Sequence, residues 1–72
     1  MSYNEEQLYY TCMNFCSTFF RYMMKKNEYE TAKRLFSIDS IDERESRMRY
    51  ERRRLQDAFD NLKEAINKVG EE

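Results

Sequence analysis

Cys12 and Cys16 are the only cysteines of this 72-residue chain, and they stand four positions apart. On a helix, this spacing puts both thiols on one face, where they are poorly placed to bridge each other. A tetrahedral zinc site needs about four ligands, and the chain has no histidine. Two such pairs meeting across a dimer would supply four thiolates, but two reduced, buried, small apolar side chains are the simpler interpretation. The sequence therefore predicts neither a metal site nor a cofactor.

Residues suited to catalysis are otherwise sparse. No histidine is present to act as a base near neutral pH, and the single glycine, Gly70, excludes a glycine-rich phosphate loop. Asp57 and Asp60 form a carboxylate pair at helical spacing, but they fall on the polar side of their helix and indicate solvated acids. We therefore expect that the chain is not an enzyme.

The segment from Arg44 to Arg54 has the strongest chemical character in the chain. It holds six arginines and two glutamates, a formal charge of +4, so that the rest of the chain carries -5. Arginine without lysine favours bidentate contacts with carboxylate or phosphate groups. The candidate residues for binding a partner are Arg47, Arg49, Tyr50, Arg52, Arg53 and Arg54.

Three interpretations of this segment stay open. It is a solvated helix face with local ion pairs, a docking surface for an acidic protein, or a nucleic-acid-binding surface. The spacing predicts three pairs: Glu43 with Arg47, Glu45 with Arg49, and Glu51 with Arg54. It leaves Arg52 and Arg53 without a partner. A basic helix ahead of a heptad seam has the layout of a bZIP protein, but the segment contains no asparagine or alanine to read base edges.

Helix-forming residues dominate, and the absence of proline leaves few signals for turns or strands. The sequence predicts an all-α fold. Capping boxes at Ser2 to Glu5 and Ser40 to Glu43, with Asn27 as a further cap, divide the chain into three helices. We expect a single domain over residues 1–72, a long, a short and a long helix over 4–26, 28–36 and 41–69, arranged as a helical hairpin or bundle.

The third predicted helix carries a heptad seam, in which apolar residues recur at spacings of seven, seven, four, three, four and three. These residues are Ile41, Met48, Leu55, Phe59, Leu62, Ile66 and Val69. Ala58 and Ala65 broaden the seam, and their small side chains let another helix approach closely.

The first predicted helix has an apolar surface too wide for one neighbour. Its two parallel stripes are Leu8, Cys12, Phe15, Phe19 and Tyr22, and Tyr9, Met13, Cys16, Phe20 and Met23. With Met24 they cover an arc of roughly 200°, against the roughly 100° that a surface helix needs. We expect a homodimer, with the interface formed by Tyr9, Met13, Cys16, Phe20, Met23 and Met24. The alternative is a compact monomer whose short helix covers the excess, and the direction of subunit pairing is left open.

Taken together, these features predict a small protein that acts by binding another protein. The polar start of the chain and the unpaired cysteines favour the cytoplasm over export, and no stretch suits a membrane span. The small size, the slightly negative net charge and the lack of catalytic motifs fit an adaptor. They also fit a stoichiometric inhibitor or regulator of the kind that phages direct against host machinery. The alternative function is a nucleic-acid-binding regulator that uses the same arginines.

Overall fold

Two long helices make up the computed structural model, which describes residues 2–35 and 38–72, with only the backbone at 38–40. Helix α1 spans Tyr3–Arg34 and helix α2 spans Ile38–Gly70. The prediction of an all-α chain is confirmed. Within the described residues, neither helix combines the length and the apolar content needed to cross a bilayer.

The start of α1 follows from its cap. The Oγ of Ser2 accepts a hydrogen bond from the backbone N–H of Glu5 at 3.2 Å, and Glu5 and Glu6 place negative charge at the positive pole of the helix dipole. The predicted cap at Ser2 is therefore confirmed, and the helix begins one residue before the predicted position.

The predicted break at Asn27 is wrong, and with it the division into three helices. Residues 3–34 form one helix, which passes through Asn27 without interruption. An asparagine in a helix interior costs at most about 0.7 kcal/mol relative to alanine. That cost is offset because Lys25 and Glu28 form an ion pair across the position (Nζ to Oε2, 3.4 Å), and because the continued helix buries Ala32 against α2.

The sequence predicts a second break over residues 37–40, and this is wrong for residues 38–40, which belong to α2. Leu35 forms a turn, Phe36 and Ser37 lie outside the described residues, and α2 begins at Ile38 rather than at residue 41. Ser40 therefore lies inside the helix and does not cap it. The helix ends at Gly70, within one residue of the predicted end.

The two helices form an antiparallel hairpin. The Oγ of Ser2 lies 3.0 Å from a carboxylate oxygen of Glu72 at the open end. The rings of Phe15 and Phe59 are 6.0 Å apart halfway along. Near the turn, the guanidinium of Arg44 donates to the backbone carbonyl of Glu28 over 3.4 Å. The hairpin measures 53 × 15 × 12 Å.

Small side chains lie along the line where the helices touch. Ala32, Ala58, Ala65 and Thr18 are each at least 93% buried, and Thr18 satisfies its hydroxyl by donating to the carbonyl of Asn14 at 2.7 Å. The predicted role of Ala58 and Ala65 in close helix approach is confirmed. Among the described residues, no large side chain is fully buried, so the helices meet without enclosing an aromatic core.

Candidate functional site

The arginine segment occupies the half of α2 nearest the turn. At about 100° per residue, its side chains fan around the helix and do not share one face. Arg47 and Arg49 pair with glutamates of their own helix, and Arg44 bonds to α1. Arg47 forms an ion pair with Glu43, Arg49 forms one with Glu45, and Arg44 reaches the Glu28 carbonyl. Two of the three predicted pairs are therefore confirmed.

The predicted pair of Glu51 with Arg54 is wrong. Glu51 turns into the space between the helices, where it is 9% exposed, and its Oε2 has no hydrogen-bond partner among the described residues. The guanidinium of Arg54 instead lies over the ring of Tyr50, 5.8 Å from its centroid. This distance falls in the range of a cation–π contact.

Arg52 and Arg53 form no ion pair or hydrogen bond within the described part of the chain, as the spacing predicts. Together with Arg49 and Gln56 they line a shallow, open depression on α2. These two guanidinium groups lie beside a third, that of Arg49, which pairs with the half-buried Glu45. Together they concentrate positive charge on this side of the hairpin. Such a surface suits a carboxylate or phosphate ligand.

An apolar groove of about 270 Å³ adjoins this depression. Arg52 and Gln56 belong to both, and the remaining walls come from the two helices: Phe15, Phe19, Tyr22, Leu55 and Phe59. The rings of Phe15 and Phe19 stack at 6.3 Å, and the ring of Phe59 closes on Phe15. The groove can bind an apolar side chain of a partner, while the adjoining depression binds an acidic group of the same partner.

The six predicted partner-binding residues are split between two sides of α2. Arg49, Arg52 and Arg53 border the depression and lie near the groove. Tyr50 and Arg54 are each two positions from Arg52, which turns them roughly 160° away from it. Arg47, seven positions before Arg54, lies on the same side as Arg54. The predicted docking surface is therefore two smaller surfaces, and only the one around Arg52 has an apolar groove beside it.

The outer face of α1 is the second candidate surface. We define it by the six residues predicted for the dimer interface: Tyr9, Met13, Cys16, Phe20, Met23 and Met24. All six are exposed, and Phe20 at 66% is the most exposed among those with a large side chain. The half-buried residues of the other stripe, Leu8, Phe15 and Tyr22, face α2 instead.

Cys12 and Cys16 are both free and exposed, against the prediction that they are buried. They lie on or beside the outer face, whose six defining residues are all exposed. The described residues contain no cluster of three or more side chains able to hold a metal ion.

Neither the groove nor the burial of Glu51 was predicted from the sequence. The sequence did contain a signal for the burial of Glu51. In the later part of the seam an apolar residue follows three or four positions after the last, but between Ile41, Met48 and Leu55 the spacing is seven. The positions three residues after Ile41 and Met48 therefore face α1 without being apolar. Arg44 and Glu51 occupy these two positions and are half-buried and buried, respectively. The groove had no such signal, since its walls come from residues some forty positions apart.

Comparison of the chain with protein-family models, with curated proteins and with solved structures gives no match. Its function is therefore inferred from its own residues.

Proposed function

We propose that this chain is a small, non-catalytic protein–protein interaction module, an adaptor or a stoichiometric inhibitor or regulator, of the type that phages use against host machinery. It binds an acidic surface of its target through Arg49, Arg52 and Arg53. The observation that supports this most directly is that Arg52 and Arg53, beside an apolar groove, have no ion-pair partner among the residues that the structure describes.

The chemistry of this surface favours a protein target. Binding hot spots combine arginine with aromatic or apolar anchors that are shielded from water, and the groove lies next to Arg52. Nucleic-acid binding depends on broad positive charge along the phosphate backbone. Here Glu43 and Glu45 neutralise two of the nearby arginines, so the free charge is local.

The same proposal includes a homodimer formed through the outer face of α1. Exposed aromatic and methionine side chains of this kind mark interfaces between proteins. Because this face belongs to α1 and the arginine depression to α2, each chain can bind both a second copy and a target.

The test is a double charge reversal, Arg52→Glu with Arg53→Glu, compared with Lys63→Glu with Lys68→Glu. The control makes the same change in net charge on the same helix, at lysines that pair locally with Asp60 and Glu64. Tagged wild-type protein and both variants are used to capture proteins from an extract of the source cells. We expect the wild type and the control to retain the same target, and the arginine variant to lose it at unchanged helicity by circular dichroism.

Fluorescence anisotropy with a labelled DNA duplex tests the alternative function, which is nucleic-acid binding through the same arginines. Duplex binding that falls steeply with salt, and is lost in the arginine variant, would assign these arginines to nucleic acid. Capture of the same target by the arginine variant would contradict the proposed docking surface.

A further inference from the structure

The outer face of α1 lies nearly opposite the line along which α1 meets α2. Thr18, 97% buried, marks that line. At about 100° per residue, Cys16 and Phe20 are each turned roughly 160° away from Thr18, in opposite senses. The apolar side chains of the outer face therefore point away from α2, and a bend or shift of the hairpin would not cover them.

The chain exposes more surface than a folded monomer of its mass, and the excess is about the area that one binding partner would cover. The surface area is 5767 Å², whereas a folded monomer of 9.0 kDa exposes about 4,900 Å². The excess of roughly 900 Å² is close to the about 800 Å² that each partner contributes to a stable interface. An occupant the size of one further helix face is therefore sufficient to cover it.

We infer that the occupant is a second copy of this chain, with the two α1 helices antiparallel and their two-fold axis beside Cys16. This deepens the homodimer in the proposed function and rests on it. The outer face is self-complementary about that point, because large side chains stand at similar distances on both sides of a small one. Met13 then lies opposite Phe20 of the second copy, and Tyr9 lies opposite its Met23 and Met24.

The centre of the outer face is suited to close approach. Cys16 has one of the smallest side chains of the face, and Ser17 follows it. For helices whose axes are about 8 to 10 Å apart, facing Cα atoms at a radius of about 2.3 Å come within the distance that a disulfide spans. The two Cys16 thiols are thus neighbours across the axis.

Charge on α1 favours the antiparallel direction. Its first turn carries Glu5 and Glu6, and its last third carries Lys25, Lys26, Lys33 and Arg34 against Glu28 and Glu30. Parallel helices would bring like charges together at both ends, whereas antiparallel helices bring the acidic start of one towards the basic end of the other. The helix dipoles are also opposed only in this direction.

The arrangement leaves both arginine depressions free. Since α2 packs on the side of α1 away from the outer face, the order across the dimer is α2, α1, partner α1, partner α2. A dimer in which α1 instead covered the partner's α2 would bury the groove and Arg52, in conflict with docking of a target there.

The native cysteines test the geometry. Cys12→Ser, Cys16→Ser and wild-type protein are treated with copper phenanthroline under air, in which two thiols lose two electrons and two protons to the oxidant as one disulfide forms. Dimers are then counted on a non-reducing gel, and the molar mass of untreated protein is measured by light scattering. We expect a dimer mass for all three, covalent dimer in the wild type and Cys12→Ser, and none in Cys16→Ser.

Other outcomes overturn the inference in distinct ways. Cross-linking of both single variants would indicate parallel α1 helices, and cross-linking that needs both cysteines would move the axis between them. A dimer mass with no cross-link would place α1 on the partner's α2, and a monomer mass would remove the dimer altogether.

A control variant, Phe20→Glu, should become monomeric and lose cross-linking while keeping its helicity. None of these results depends on Arg52 or Arg53, so failure of the dimer geometry and failure of target docking are told apart.

Discussion

Glu51 is the buried charged residue of the contact between α1 and α2, among the residues that the structure describes. The residue is 91% buried, and its Oε2 has no hydrogen-bond partner among the described residues. Arg44 stands at the equivalent earlier position of the seam, but its longer side chain reaches the Glu28 carbonyl. Leaving a buried charged group without a partner costs stability that an apolar side chain of similar size would not.

Replacing Glu51 by methionine should therefore stabilise the protein. We expect Glu51→Met to raise the free energy of unfolding by about 1 to 3 kcal/mol, measured by urea denaturation followed by circular dichroism. The control is Glu64→Met, whose side chain is 67% exposed and pairs with Lys68, and for which we expect a change below about 0.5 kcal/mol. A loss of stability in Glu51→Met would mean that the carboxylate is satisfied in solution.

At the scale of elements, the continuity of α1 is the main departure from the predicted architecture. A capping residue such as Asn27 ends a helix only where a change of chain direction is more stable than further helix. Here the helical turns after Asn27 bury Ala32 and leave Tyr29 half-buried. Lys33 also lies over the Tyr29 ring at 5.3 Å. Packing along the hairpin thus outweighs a local preference.

The substitution Asn27→Ala distinguishes one helix from two, because the sign of its effect depends on the position of Asn27. Inside a continuous helix, alanine should stabilise by up to about 0.7 kcal/mol. At a helix cap, the same change should destabilise by about 1 kcal/mol. Urea denaturation gives the sign, with Ser2→Ala as a control at a true cap, where we expect a loss of about 1 kcal/mol.

At the scale of the whole molecule, a two-helix hairpin with an alanine-rich contact line buries little apolar surface. Chains of this size usually need an additional source of stability. Of the possible sources, the structure offers an extended apolar face on α1, with free cysteines rather than a disulfide. The dimer proposed above would supply the missing layer.

Stability should then depend on protein concentration. For a dimer that unfolds to monomers, a tenfold rise in concentration adds about 1.4 kcal/mol per dimer, or half of that per chain, and should raise the thermal midpoint by about 3 to 6 °C. Calorimetry at several concentrations measures the shift. Phe20→Glu should lower the midpoint and remove its dependence on concentration, and a wild-type midpoint independent of concentration would contradict the dimer.

The features that could be predicted from the sequence are those that depend on interactions between residues close together in the chain. The helical class, the Ser2 cap and the pairs of Glu43 with Arg47 and Glu45 with Arg49 all depend on groups within four positions of one another. That Arg52 and Arg53 find no partner within the described ranges was predictable for the same reason. Local spacing is enough here because backbone hydrogen bonds and side-chain pairs within a helix have fixed geometry.

Only the tertiary structure decided which side of each helix meets the other. That choice placed Glu51 and Arg44 in the contact line, exposed both cysteines and joined Phe15 to Phe59. It could not be read from either helix alone, because α1 carries two apolar stripes of similar composition, and which stripe is buried depends on the shape of a surface forty residues away. The close approach permitted by Ala32, Ala58 and Ala65 selected one stripe for α2 and left the other exposed.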